Sequence, residues 1–165
     1  MSYQEKRTGA SILTGALVLA AYCIYAFGKN NTGVAASGDL KFWASTMLIF
    51  LGIGIGAAIL VQIVFHILFA ISVAVQQELQ GNQSDDKAIE KMIKLEIRED
   101  ERDRLIELKS IRLGFITAGL GFVGGLVSLL FNNSPVIMLN ILYISFSVGS
   151  LLEGVGQLYY YRKGV

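Results

Sequence analysis

Charge is scarce in this chain. Charged residues occupy 16% of its 165 positions, against roughly 25% in soluble domains. The single cysteine, Cys23, excludes an internal disulfide. The single histidine, His66, and that one thiol provide no nucleophile–base pair and no zinc set. No enzyme, cofactor or metal site is therefore expected. The net charge of +1 is too small to imply a nucleic-acid partner. Basic residues alternate with acids, and no basic groove with interleaved aromatics is formed. Calcium-loop spacing with its central glycine is also missing.

What the chain does have is apolar length: 53% of its residues are hydrophobic. They gather in four stretches, Ser11 to Phe27, Phe42 to Val75, Leu113 to Phe131 and Val136 to Tyr161. A helix needs about 20 apolar residues to cross a hydrocarbon core about 30 Å thick. The reading is a single membrane domain over 1–165, an all-α four-helix transmembrane bundle with spans at 8–28, 42–66, 111–131 and 136–160. The first span is long for a cleaved signal and is expected to persist as a helix.

Lysine and arginine set the expected orientation. Lys6 and Arg7 precede span one, eight basic residues lie between Lys87 and Arg112, and Arg162 and Lys163 follow span four. Only Lys29 and Lys41 fall on the other side, so the division is twelve to two. Both termini and the large connection are expected in the cytoplasm of a multi-pass inner-membrane protein. Tyr22 and Tyr25 then fall near the outer interface, and Tyr159, Tyr160 and Tyr161 before Arg162 and Lys163 make an inner interfacial anchor.

Span two is longer than a bilayer requires. Phe42 to Val75 is 34 residues, about 51 Å of helix, and tilt absorbs only part of that excess. After the turn Gly81-Asn82-Gln83-Ser84-Asp85, a helix capped by Ser84 or Asp85 would align Ile89, Met92, Ile93 and Ile97 on one stripe. This predicts a cytoplasmic antiparallel hairpin over 67–110, extending helices 2 and 3. Within it Arg98, Glu99, Asp100, Glu101, Arg102, Asp103 and Arg104 form seven consecutive charges. They read either as a solvated helix with opposite charges three apart or as the surface that meets a cytoplasmic protein partner. Beside the lipid bilayer, that protein and a homo-oligomer are the partner classes expected.

Small residues recur at fourfold spacing: Gly52/Gly56, Gly121/Gly125, Ser145/Gly149 and Ser150/Gly154. That spacing lets helix backbones approach closely in lipid. Packing within the chain is the expected use, with homodimerisation second.

One carboxylate, Glu153, lies inside the last apolar stretch. Such a group costs about 2.5–3.5 kcal/mol on insertion scales and faces protein or water. It sits about 25 Å along the helix from Val136, towards the cytoplasmic end. Gln157 follows on the same face, and Gln62, His66 and Arg112 fall near the same layer. Two readings stand: a satisfied cluster with Glu153 paired to Arg112 or bonded by Gln62, and a proton- or cation-responsive site lined by Glu153, Gln157, Gln62 and His66. Asn140 could hydrogen-bond between helices.

The run Asp100-Glu101-Arg102-Asp103-Arg104-Leu105-Ile106-Glu107-Leu108-Lys109-Ser110-Ile111-Arg112 resembles a pattern of small bacterial predicted integral membrane proteins, an uncharacterised family. In that pattern Asp-Glu-Arg, a Leu-Ile pair and a lysine precede a span. The resemblance covers these thirteen residues and, loosely, the four-span layout. It implies a bacterial inner-membrane protein and carries over no substrate or catalytic residue. The chain is also similar in span number to the small multidrug transporters. Their membrane carboxylate lies in the first helix, whereas span one here has no acid.

Overall fold

A computed structural model describes residues 3–31, 39–79 and 101–163. They form four helices: α1 (Tyr3–Asn31), α2 (Leu40–Leu79), α3 (Glu101–Leu130) and α4 (Pro135–Lys163). Among the described residues there is no strand. All four helices are long and apolar enough to cross a bilayer, as a multi-pass membrane protein requires. The expected turn at 81–85, the stripe from Ile89 to Ile97 and the charges Arg98, Glu99 and Asp100 lie outside the described residues.

Local chemistry sets the helix ends. The Asp39 carboxylate accepts from the backbone N–H groups of Lys41 at 2.9 Å and Phe42 at 3.4 Å. It thus caps two free donors at the positive end of the α2 dipole. Helix α3 closes in a Schellman turn: the Asn133 N–H reaches the Ser128 carbonyl at 3.4 Å and the Asn132 N–H reaches that of Leu129 at 3.1 Å. Asn132 takes the left-handed conformation that this turn needs, with φ at 59°. Ser134 then caps α4, its hydroxyl accepting from the Val136 N–H at 3.3 Å, and Pro135 occupies the first helical position.

The tight turn folds α3 and α4 into an antiparallel pair, the most extensive helix interface among the described residues. Small residues let the backbones touch. A Cβ on Gly149 would lie 2.8 Å from the Gly114 carbonyl oxygen, one on Gly125 would lie 3.2 Å from Met138, and Gly121 is covered by Ser145. The contacting positions on α3, Ser110, Gly114, Gly121, Gly125 and Ser128, advance by four, seven, four and three residues. This is the near-heptad rhythm of helices that cross at a shallow angle.

Helix α4 is the hub. It meets α1 along one side, α3 along another and α2 more sparingly, while α1 also packs on α2. Thr8, Gly15 and Tyr22, seven apart, all face α4: Thr8 Oγ1 donates to Gln157 at 3.3 Å, Gly15 lies against Leu151 and the Tyr22 hydroxyl donates to Asn140 at 2.7 Å. On α2, Trp43, Thr46, Phe50, Gly54, Phe65 and Phe69 share one stripe, and Gly54, Phe50, Phe65 and Phe69 contact α1.

Two expectations are corrected. Among the described residues Gly52 and Gly56 meet nothing within 4 Å, so this pair serves no packing between the described helices; Gly54 faces α1 in their place. Tyr22 is fully buried rather than interfacial, because its hydroxyl finds Asn140 on α4. The expected hairpin over 67–110 falls largely outside the described residues; in its described parts α3 lies against α4. There Ile106 and Ser110 are buried, and Arg102 donates to the Tyr161 carbonyl at 3.4 Å.

Candidate functional site

The Tyr22–Asn140 hydrogen bond divides the bundle into two halves. On one side are Asp39 and the 131–134 turn, here called the turn end; on the other are Tyr3 and Lys163, the terminal end. Near the turn end, aromatic rings fill the space between α1, α2 and α4. Tyr22 lies 5.3 Å from Phe50 and 4.1 Å from Tyr143, centre to centre. The Asn140 amide in turn donates to the Val136 carbonyl at 2.8 Å. Tyr22 and Asn140 thus bond α1 to α4 within this aromatic layer.

Towards the terminal end these three helices, with the start of α3, line an open-sided cavity of ≈ 530 Å³. Its existence follows from side-chain size. Gly15, Gly54, Ala58, Ser147, Ser150 and Gly154 line it, and positions this small do not fill the gap where α2 and α4 stand apart. Phe50 and Tyr143 reach its inner end, while Arg7, Asp103, Glu107 and Tyr161 line it nearer the chain termini.

Glu153, Gln157 and Gln62, three of the five polar residues singled out in the sequence, line this cavity together. His66 and Arg112 are exposed and take no part in it. The Glu153–Arg112 pair is not formed. Gly114 faces α4 and Glu153, so Arg112, two residues earlier on the same helix, turns away from α4. Among the described residues, neither Arg112 nor Gln62 hydrogen-bonds to Glu153. The Glu153 carboxylate is half-buried and rests over Gly114, where a Cβ would lie 3.2 Å from Oε2.

The charged run has two faces. Glu101, Arg102 and Arg104 are exposed, whereas Asp103 is half-buried and shares the cavity wall with Glu107 one turn on. Sequence reasoning missed Glu107, Arg7 and Thr8 as cavity residues. A signal for Thr8 was present in its sevenfold spacing with Gly15 and Tyr22. No comparable signal marks Glu107, which reaches the cavity because α3 leans on the terminal end of α4. The terminal tyrosines also act within the fold: the Lys109 ammonium lies 5.9 Å over the Tyr160 ring, and Lys163 donates to the Tyr159 hydroxyl at 3.1 Å.

Among the described residues no three His, Cys, Asp or Glu side chains converge as metal ligands. Chemically, the cavity offers carboxylates, amides, hydroxyls and aromatic faces to a molecule of moderate size. Comparison with protein-family models, curated proteins and solved structures finds no match to this chain.

Proposed function

We propose that this chain is a non-enzymatic, ligand-responsive membrane protein that acts on a cytoplasmic protein partner. It would reside in a bacterial inner membrane, the setting implied by the pattern around Asp100 to Arg112. Both termini and the 67–110 segment face the cytoplasm in this reading, as the twelve-to-two division of basic residues indicates.

The observation that carries the proposal is the shared wall of the cavity. Glu153 at membrane depth lines the same cavity as Asp103 and Glu107, on the helix turns that present Arg102 and Arg104 outward. A ligand seated between Glu153 and Glu107 bears on the base of the charged segment. Binding that favours one placement of α3 over another shifts what that segment presents. The length of α2 supports a cytoplasmic hairpin beyond it. The helix is 40 residues long, about 60 Å at its usual rise, twice the hydrocarbon thickness. Ile67, Leu68, Ile71 and Val75 are exposed along its far part.

A photo-crosslinking residue at Arg104 tests this in intact membranes. It should yield an adduct with a cytoplasmic protein, and Glu153→Gln should change the adduct yield. No adduct, or equal yields from both forms, removes the proposal.

A small transporter or channel using Glu153 is the second reading, favoured by the cavity's reach to that carboxylate. It requires the Tyr22 layer to open. Proteoliposomes that pass no protons, cations or lipophilic cations would end it.

A further inference from the structure

We infer that the cavity is a binding site for an organic cation: an amine or quaternary onium group carried on an apolar body. This rests on the reading of the cavity as a ligand site and names the class of ligand. The first argument is charge. Glu107 and Glu153 both line the cavity, and among the described residues neither has an ion-pair or hydrogen-bond partner. Arg7, the only cationic side chain among the described lining residues, forms no ion pair with either of them. A half-buried carboxylate at Glu153 and an exposed one at Glu107 on the same wall disfavour an anion. A neutral guest would leave the half-buried Glu153 without a counter-charge.

The second argument is the rest of the wall. Phe50, Phe65, Tyr143, Phe146 and Tyr161 line the cavity. Aromatic faces attract desolvated cations through the ring quadrupole and recur in sites for quaternary ammonium groups. Gln62 and Gln157 add uncharged polar groups. The third argument is size. A volume of ≈ 530 Å³ lies within the roughly 300–1,000 Å³ of small-molecule sites. A bare metal ion would rattle in it, and no three-ligand set converges among the described residues.

Two probes of nearly equal shape and opposite charge test the inference: tetraphenylphosphonium and tetraphenylborate. Each is titrated by equilibrium dialysis against the purified full chain in a neutral detergent, with protein-free micelles subtracted. The phosphonium should bind saturably, and the borate about tenfold more weakly or less, as expected for lost charge complementarity. Glu153→Gln should weaken phosphonium binding by about tenfold, the scale of one charge-assisted contact. Arg112→Gln, outside the cavity, should leave it unchanged. Should Glu153→Gln aggregate, Glu107→Gln on the exposed turn carries the same comparison. Equal binding of both probes, or no saturable phosphonium binding, overturns the cation assignment.

Ser147→Cys in a Cys23→Ser background separates the two levels of the argument. If this wall position reacts with a water-soluble maleimide while the phosphonium fails to bind, the cation class falls and the cavity reading stands. If it does not react, both fall.

Discussion

Replacing Gly149 with alanine places a methyl group against the backbone of the neighbouring helix. The new Cβ would lie 2.8 Å from the Gly114 carbonyl oxygen and 3.5 Å from its Cα. Carbon–oxygen contacts between helices settle at about 3.3–3.6 Å. The helices must therefore separate by about 0.5–0.8 Å, since a backbone carbonyl cannot rotate aside as a side chain can. Overpacking of this kind costs about 1–3 kcal/mol. The better helix propensity of alanine returns up to about 1 kcal/mol, so a net loss of roughly 1–2 kcal/mol is expected. Gly52→Ala is the matched control: the same chemical change in a helix of the same bundle, with nothing within 4 Å. It should be neutral, or more stable by up to about 1 kcal/mol. Unfolding both variants in mixed micelles by titration with a denaturing detergent, followed by circular dichroism, measures the difference. If Gly149→Ala unfolds at or above the parent midpoint, or Gly52→Ala loses as much, the described contact between α3 and α4 is wrong.

Tyr22→Phe removes the hydroxyl that donates to Asn140 at 2.7 Å and should cost about 1–3 kcal/mol. A double-mutant cycle with Asn140→Ala should recover most of that as coupling, and additive losses would show that the bond contributes nothing. Asp39→Ala uncaps α2 and should cost about 1 kcal/mol, read from the unfolding midpoint together with faster amide exchange at Lys41 and Phe42. Asn132→Ala forces an ordinary side chain into the left-handed region and should cost about 1–2 kcal/mol. Asn132→Gly should not, and equal losses from the two would remove the backbone explanation.

The four helices were legible because a run of apolar residues long enough to cross a bilayer admits few alternatives. Gly121/Gly125 and Ser145/Gly149 were read correctly as packing positions, yet Gly52/Gly56, with the same spacing, face open space. Spacing fixes only that two small residues share a helix face. Which helix lies opposite depends on topology, and that follows here from the Phe131–Ser134 turn locking α3 to α4. The candidate site was legible in the same partial sense. Distance along each helix placed Glu153 and Gln62 in one layer, and fourfold spacing put Gln157 on the Glu153 face. The same arithmetic placed His66 and Arg112 there too, because rise along the axis says nothing about rotation about it. Gly114 facing α4 turns Arg112 outward, and the α1-facing stripe of Phe65 and Phe69 leaves His66 exposed.

Glu153 sits where the two kinds of interface in this bundle meet. On one side α4 touches α3 through backbone atoms at Gly149 and Gly114. On the other it borders the loosely filled space towards α1 and α2. A carboxylate over Gly114, with Oε2 only 3.2 Å from where a Cβ would stand, couples the two: any change in its hydration or counter-charge presses on the close-packed pair, and any separation of that pair alters the cavity. The aromatic layer at Tyr22 braces the turn end, while at the terminal end Arg102 donates to the Tyr161 carbonyl and Lys109 lies over the Tyr160 ring. In the proposed reading, a braced end, a cavity and a carboxylate between them are what would let this protein couple occupancy to its charged segment.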